Sequence, residues 1–187
     1  MKTLIVHPAD RSTDFLKPIY ADIQDKTAVT EGSREQVEKQ IQDSQRIIMM
    51  GHGCPYGLFS VGRFTMDETR TSYVITRSIV PILKETENIF IWCNADQFVE
   101  FHELHGFYSG MFISEVGEAR YHKVGEEYGY AGLQALVDES NDGFSRILAE
   151  IIEQPLEAIY SHVMANYGEI AKINCVAQYN ADRLYIR

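Results

Sequence analysis

The chain is poor in the features that mark several whole classes of protein. Its apolar runs, the longest of them Ile89-Phe90-Ile91-Trp92-Cys93, fall far short of the ~20 residues a membrane-spanning helix needs. Cysteine is scarce. Cys54, Cys93 and Cys175 are odd in number and share no spacing, which speaks against a disulfide framework and fits a reducing compartment in which one thiol can react. Base is outnumbered, with 17 Lys and Arg against 27 Asp and Glu and a net charge of −10, which argues against the clustered cations that grip nucleic-acid phosphates. Internal repeats and low-complexity stretches are absent. The opening MKTLIVHPAD carries only a short apolar run before His7-Pro8, too little for a secretory core. The expectation is an untargeted, cytoplasmic chain without membrane contact. With 187 residues, 45% of them hydrophobic, what remains is one ordinary globular domain over 1–187.

Apolar patterning then alternates between two periods. Lys2 to His7 and Arg46 to Met50 read as buried strands, as does Asn88 to Trp92. Thr27 to Thr30, Tyr56 to Val61, Gly110 to Val116 and Tyr179 to Ile186 are further strand candidates. Between them lie helical faces. Phe15, Ile19 and Ile23 recur at four-residue spacing, and Ser33-Arg34-Glu35-Gln36 is a capping-box pattern ahead of Val37 and Ile41. Tyr73 to Glu85 is mostly helical in period despite Pro81, and Phe98 to His105 also reads as helix. Residues 117–139, rich in Gly and charge, read as a long loop or a loop with a short helix. Two amphipathic helices follow, one through Phe144 and Ile152 to a break at Pro155, the other from Leu156 to Tyr167 and closed by Gly168. Strands alternating with helices predict an α/β domain with a mostly parallel sheet, whose ligands bind beyond the carboxyl ends of the strands.

Two of those strand ends carry chemistry. One runs into Gly51-His52-Gly53, the other into Cys93-Asn94-Ala95-Asp96. If the strands are parallel neighbours, His52 and Cys93 emerge at one edge as a nucleophile–base pair. The imidazole would activate the thiol and later protonate a leaving amine, and flanking backbone N–H groups could hold an oxyanion. Cys54, two residues after His52, is a competing thiol, or a metal ligand together with His52 and Cys93. His102 and His105 stand three apart, one short of the zincin spacing. Phe107, Tyr108, Tyr121, Tyr128 and Tyr130 either line a cleft or pack in core and loops.

Strand–Gly-His-Gly, helix, strand–Cys resembles the caspase-like cysteine peptidases, which include caspases, metacaspases, clostripain, gingipains and CHAT domains. Arg11-Ser12-Thr13-Asp14 is similar to the polar turn after the first strand of caspases. RIIMMGHG is similar to the metacaspase and CHAT histidine motif, and IFIWCNADQF to the gingipain cysteine strand. SRILAEIIEQPLEAIYSHVMANYG looks like the paired C-terminal helices of CHAT and gingipain-type domains, and QYNADRLYIR sits where they have a last strand. One position departs: Trp92 stands where the family usually has a small residue, so its indole either reshapes the pocket or turns into the core.

The resemblance implies a three-layer α/β/α caspase-like fold with a mostly parallel central sheet. It implies His52 as general acid/base, Cys93 as nucleophile, the N–H groups of Gly53 and Cys93 as oxyanion donors, and no metal or other cofactor. The substrate would be a peptide or protein, with a regulatory protein partner as one route of control. Arg11 would select an acidic side chain before the scissile bond, whereas Asp96, Glu115 or Glu118 would select a basic one. Against this endopeptidase reading stands a catalytically inactive caspase-like module that binds a partner or small ligand at the same edge. A flavodoxin-like or Rossmann-like binding protein is disfavoured, because His7-Pro8-Ala9-Asp10 is no Gly-rich phosphate loop.

Overall fold

In Leu4-Ile5-Val6, Ile47-Ile48-Met49-Met50 and Ile89-Phe90-Ile91-Trp92 every side chain is buried, yet neighbours go to different cores. Ile5, Ile48, Met50, Ile89 and Ile91 enter one cluster. Leu4, Val6, Ile47, Met49, Phe90 and Trp92 enter the other. Successive strand residues face opposite ways, so a continuous apolar run needs a covering layer on each side of the sheet.

The computed structural model describes residues 1–66 and 69–187. In chain order it holds β1 (Thr3–Val6), a 3₁₀ helix (Arg11–Leu16), α1 (Pro18–Ala21), β2 (Lys26–Val29), β3 (Gly32–Ser33) and α2 (Arg34–Gln42). Next come β4 (Arg46–Met50), β5 (Gly53–Cys54), β6 (Gly57–Phe59), β7 (Phe64–Met66), β8 (Thr69–Arg70), β9 (Tyr73–Ile75) and α3 (Val80–Leu83). The second half holds β10 (Glu87–Ile91), α4 (Ala95–Phe101), β11 (Phe107–Ser109), α5 (Val116–Tyr121), α6 (Tyr130–Ala149), α7 (Leu156–Ala171), α8 (Cys175–Ala181) and β12 (Leu184–Ile186).

The main sheet has the order β12-β11-β10-β4-β1-β2, parallel throughout except for the antiparallel edge strand β12. The long helices α6 and α7, with the short α8, cover one face with Phe144, Ile147, Ile159, Val163 and Ala177. The shorter α2, α3 and α4 cover the other with Val37, Ile41, Leu83, Phe98 and Val99. The domain is therefore α/β in three layers. Two small sheets, β3-β7-β8 and β5-β6-β9, lie between β2 and α3 in the chain.

Several expectations need correction. Tyr73 to Glu85 is not one helix. Tyr73–Ile75 joins a small sheet beside β6, and only Val80–Leu83 is helical, with Pro81 in the first turn where its missing N–H costs nothing. Gly110 to Val116 is not a strand. The fourth central strand is Phe107–Ser109, and the following loop is fixed by side-chain amides instead of a ladder. Asn180 donates to the Ile113 carbonyl and accepts from its N–H, while Asn141 donates to the Ser114 carbonyl. Much of 117–139 is helix, in α5 and the start of α6. Gly168 lies inside α7 and does not close it. Tyr179 belongs to α8, so the last strand is only Leu184–Ile186. By contrast, the capping box at Ser33 and Gln36 is present as read.

Arg46, buried at the start of β4, ties the sheet to the end of α6. Its guanidinium donates to the Ile152 and Gln154 carbonyls, the latter at 2.8 Å, and to the Glu87 carboxylate. Replacing it with Leu orphans two carbonyls and a partly buried carboxylate. The substitution is expected to lower the unfolding free energy by about 3 kcal/mol, read as the shift of a urea melt. Glu87→Gln loses less, because Glu87 is one-third exposed and partly served by water.

Candidate active site

The β4–β10 ladder builds the site. Arg46 pairs with Glu87 and so on to Met50 with Ile91, and the Gly51 N–H extends the ladder by donating to the Ile91 carbonyl at 3.0 Å. Continued two residues past Met50, the register sets His52 opposite Cys93. Both side chains line one small cavity of about 20 Å³, together with Thr13, Phe15, Phe112 and Ser114. Gly51 leaves the strand at φ +137°, a conformation that side-chain-bearing residues avoid, and this turns the chain out after β4.

His52 is oriented by two residues of the loop after β1. Its Nε2 lies 2.7 Å from Ser12 Oγ, and Ser12 Oγ donates to Asp10 Oδ1 at 2.8 Å. A hydroxyl has one proton. Since Ser12 gives its proton to the carboxylate, it accepts from Nε2–H, and in the neutral ring Nδ1 is the bare nitrogen. Hydrogen bonds from the Ser12 N–H and Oγ–H also hold the Asp10 carboxyl below the usual range. Behind this loop Thr13 Oγ1 donates to the Asp10 carbonyl and bonds His7 Nε2 at 3.0 Å, while Tyr20 Oη bonds His7 Nδ1 at 3.1 Å. Burial, with Lys17 adding to it, lowers His7 to about 4, so this internal post is uncharged at neutral pH.

Cys93 faces Phe112 across the cavity, and its Sγ donates to the Phe112 carbonyl at 3.5 Å. Burial, reinforced by the negative charge of Glu118, pushes the thiol up to about 12. The resting sulfur is thus a protonated thiol. The Phe15 and Phe112 rings stack near-parallel, 13° apart with centroids at 6.4 Å, and both wall the cavity.

Trp92 turns into the core. Its indole packs edge-on against Phe90 and Phe98, 5.5 and 5.6 Å between centroids, and its Nε1 donates to the Cys54 carbonyl at 3.2 Å. It pins the turn that carries His52 down onto β10. Gly53 is needed for that approach: a Cβ there would stand 2.6 Å from Trp92 Cγ. The Phe59 N–H donates to the His52 carbonyl, which makes Gly53 and Leu58 the wide pair of the β5–β6 ladder and leaves the Gly53 N–H outside it.

The remaining candidates are dispersed. Arg11 and Glu115 line a groove of about 650 Å³ that shares Phe15 and Ser114 with the small cavity. Glu118 is committed to the loop, accepting from the Ser114 N–H and Oγ and from the Glu115 N–H. Asp96 lines neither space. It sits in the first turn of α4 beside Gly110, and burial raises its pKa. Cys54 contacts Tyr73 Oη at 3.6 Å and lines neither space either. Among the described residues no three His, Cys, Asp or Glu side chains converge as a metal site. Phe107 and Tyr108 are core residues, Tyr121 is exposed, and Tyr130 borders the groove. Sequence reasoning missed Asp10, Ser12 and Phe112. The Asp-x-Ser spacing ahead of a helical turn was a legible capping signal for the first two; for Phe112 the sequence carried none. No protein-family model matches the chain, and no curated protein matches it in sequence.

Two outcomes follow. In ¹⁵N-resolved imidazole spectra the neutral form of His52 is expected as the Nε2–H tautomer, and Ser12→Ala shifts it toward a tautomer mixture. Because Cys93 ionises only near pH 12, its alkylation by iodoacetamide at pH 8 is expected to run roughly a thousandfold slower than that of a free thiol. The rate should climb with pH without levelling near 9, as followed by mass spectrometry.

Proposed function

We propose that this chain is a caspase-like cysteine endopeptidase held in a closed resting form, with Cys93 as nucleophile and His52 as acid/base. What supports the reading is the parallel register of β4 and β10, which continues to His52 opposite Cys93, and the small cavity that both residues line at the carboxyl edge of the sheet. The antiparallel final strand and the α6–α7 pair on one face agree with the caspase-like fold the motifs imply.

Cys93 Sγ attacks the substrate carbonyl carbon as its proton passes to His52 Nδ1. The N–H groups of Gly53 and Cys93 hold the oxyanion. The imidazolium, with Nε2–H anchored on Ser12, then protonates the leaving amine from Nδ1. Water, giving its proton back to Nδ1, hydrolyses the thioester and the thiol is restored. The peptide chain lies along the groove between Arg11 and Glu115, whose opposite charges offer partners for either sign of substrate side chain. The thiols suit a reducing, cytoplasmic setting.

A cavity of about 20 Å³ holds one water and no peptide carbonyl. On this reading the cavity has to widen for substrate, and the stacked Phe15 and Phe112 are the large side chains on its wall that would move. Phe15 lies on a 3₁₀ helix, a short and weakly bonded element, which a regulatory protein partner could draw aside. The alternative, a non-catalytic module of the same fold, is favoured by one observation, the burial that keeps the Cys93 thiol protonated.

Phe15→Ala separates the two. It is expected to raise Cys93 alkylation at pH 8 by about tenfold or more, and to release cleavage of a mixed peptide library that Cys93→Ala then abolishes. If the Phe15→Ala chain labels freely at Cys93 and cleaves nothing, the module reading stands. Cleavage that survives Cys93→Ala, or labelling that goes to Cys54 instead, removes Cys93 from its role.

A further inference from the structure

A second cavity, of about 690 Å³, opens beside the β5–β6 hairpin and shares no wall with the cavity of Cys93. Its size is that of a small-molecule site. Aromatic rings dominate its walls: Tyr56 from the hairpin, Tyr73 from β9, and Phe101 and His102 from the end of α4. Tyr56 and Phe101 are 75% and 82% exposed, so two large rings are held out in water at one opening. Paired exposure of this kind costs solvation and marks a contact surface.

The frame around these rings is built. Tyr73 Oη touches Cys54 Sγ, the Tyr56 N–H donates to the same sulfur at 3.4 Å, and Arg34 Nη2 donates to Thr76 Oγ1 at 2.6 Å. Burial lowers the pKa of His102, and the positive charges of Lys84 and Arg77 nearby lower it further. Arg77 is exposed on the cavity wall, and among the described residues it forms no ion pair.

We propose that this cavity binds a small planar aromatic anion, its ring between Tyr56 and Phe101 and its negative charge on Arg77. Ring faces reward a planar aromatic partner, and the guanidinium rewards a carboxylate, sulfonate or phosphate. Gln97 supplies an amide at the rim for further polar groups of the ligand. The site stands independently of the peptidase reading, since none of its walls takes part in that chemistry.

Titration with anilinonaphthalene sulfonate, an anion with a planar naphthalene ring, and with its uncharged relative phenylnaphthylamine tests the proposal through dye fluorescence. The sulfonate is expected to bind saturably, one per chain. Phe101→Ser weakens both dyes by about tenfold, and because that ring is exposed the core is untouched. Arg77→Gln weakens the sulfonate by about fivefold and leaves the neutral dye unchanged. Absence of saturable sulfonate binding, sulfonate binding that survives Phe101→Ser, or an Arg77→Gln loss shared by the neutral dye overturns it.

Discussion

Adjacent strands β4 and β10 run in the same direction and in one register, and the candidate site follows from that ladder. A slip of β10 by one residue against β4 would carry Ile89 and Ile91 from the core under α6 and α7 into the core under α2 and α4, and Phe90 and Trp92 the opposite way. Burial on both faces therefore fixes the pairing. Apolar packing against two helix layers is what holds His52 across from Cys93.

The parallel sheet also gathers its loops. The segments after β1, β4, β10 and β11 all leave at the carboxyl edge, and each contributes one part: Asp10 and Ser12, His52, Cys93, and Phe112. Apart from the β5–β6 hairpin after β4, side chains supply bonds that a ladder would otherwise make. Asn180, Asn141 and Glu118 hold the segment that presents the Phe112 carbonyl to the thiol. Trp92 holds the segment that presents His52. Buried amides and an indole N–H each satisfy a backbone group that irregular structure leaves open, and this makes the edge stiff despite its loops.

Stiffness and closure come together. Phe15 and Phe112 stack on each other at the cavity that Cys93 lines, and burial there raises the pKa of the thiol, so the packing that stabilises this edge also favours the protonated sulfur. The small sheet β5-β6-β9 follows His52 in the chain and supplies Tyr73 to the aromatic cavity. The single tryptophan links the two regions through the Cys54 carbonyl.

How much was legible depended on the range of the force involved. Fully apolar runs ending in Gly51-His52-Gly53 and Cys93 announced buried parallel strands and the two side chains at their ends, because double-sided burial leaves its mark residue by residue. The capping box at Ser33 was legible for the same local reason. Tyr73 to Glu85 and Gly110 to Val116 misread because short apolar stretches fit either period, and partners distant in sequence, β6 and Asn180, chose between them. The sequence by itself determined the layered α/β class, the central strands and the pair His52 and Cys93, all set by local patterning. Only the tertiary structure decided which way Trp92 points, that Asp10 and Ser12 hold the imidazole, and that Phe15 stacks on Phe112 at the cavity Cys93 lines. Those contacts join segments far apart along the chain, and packing alone brings them within reach.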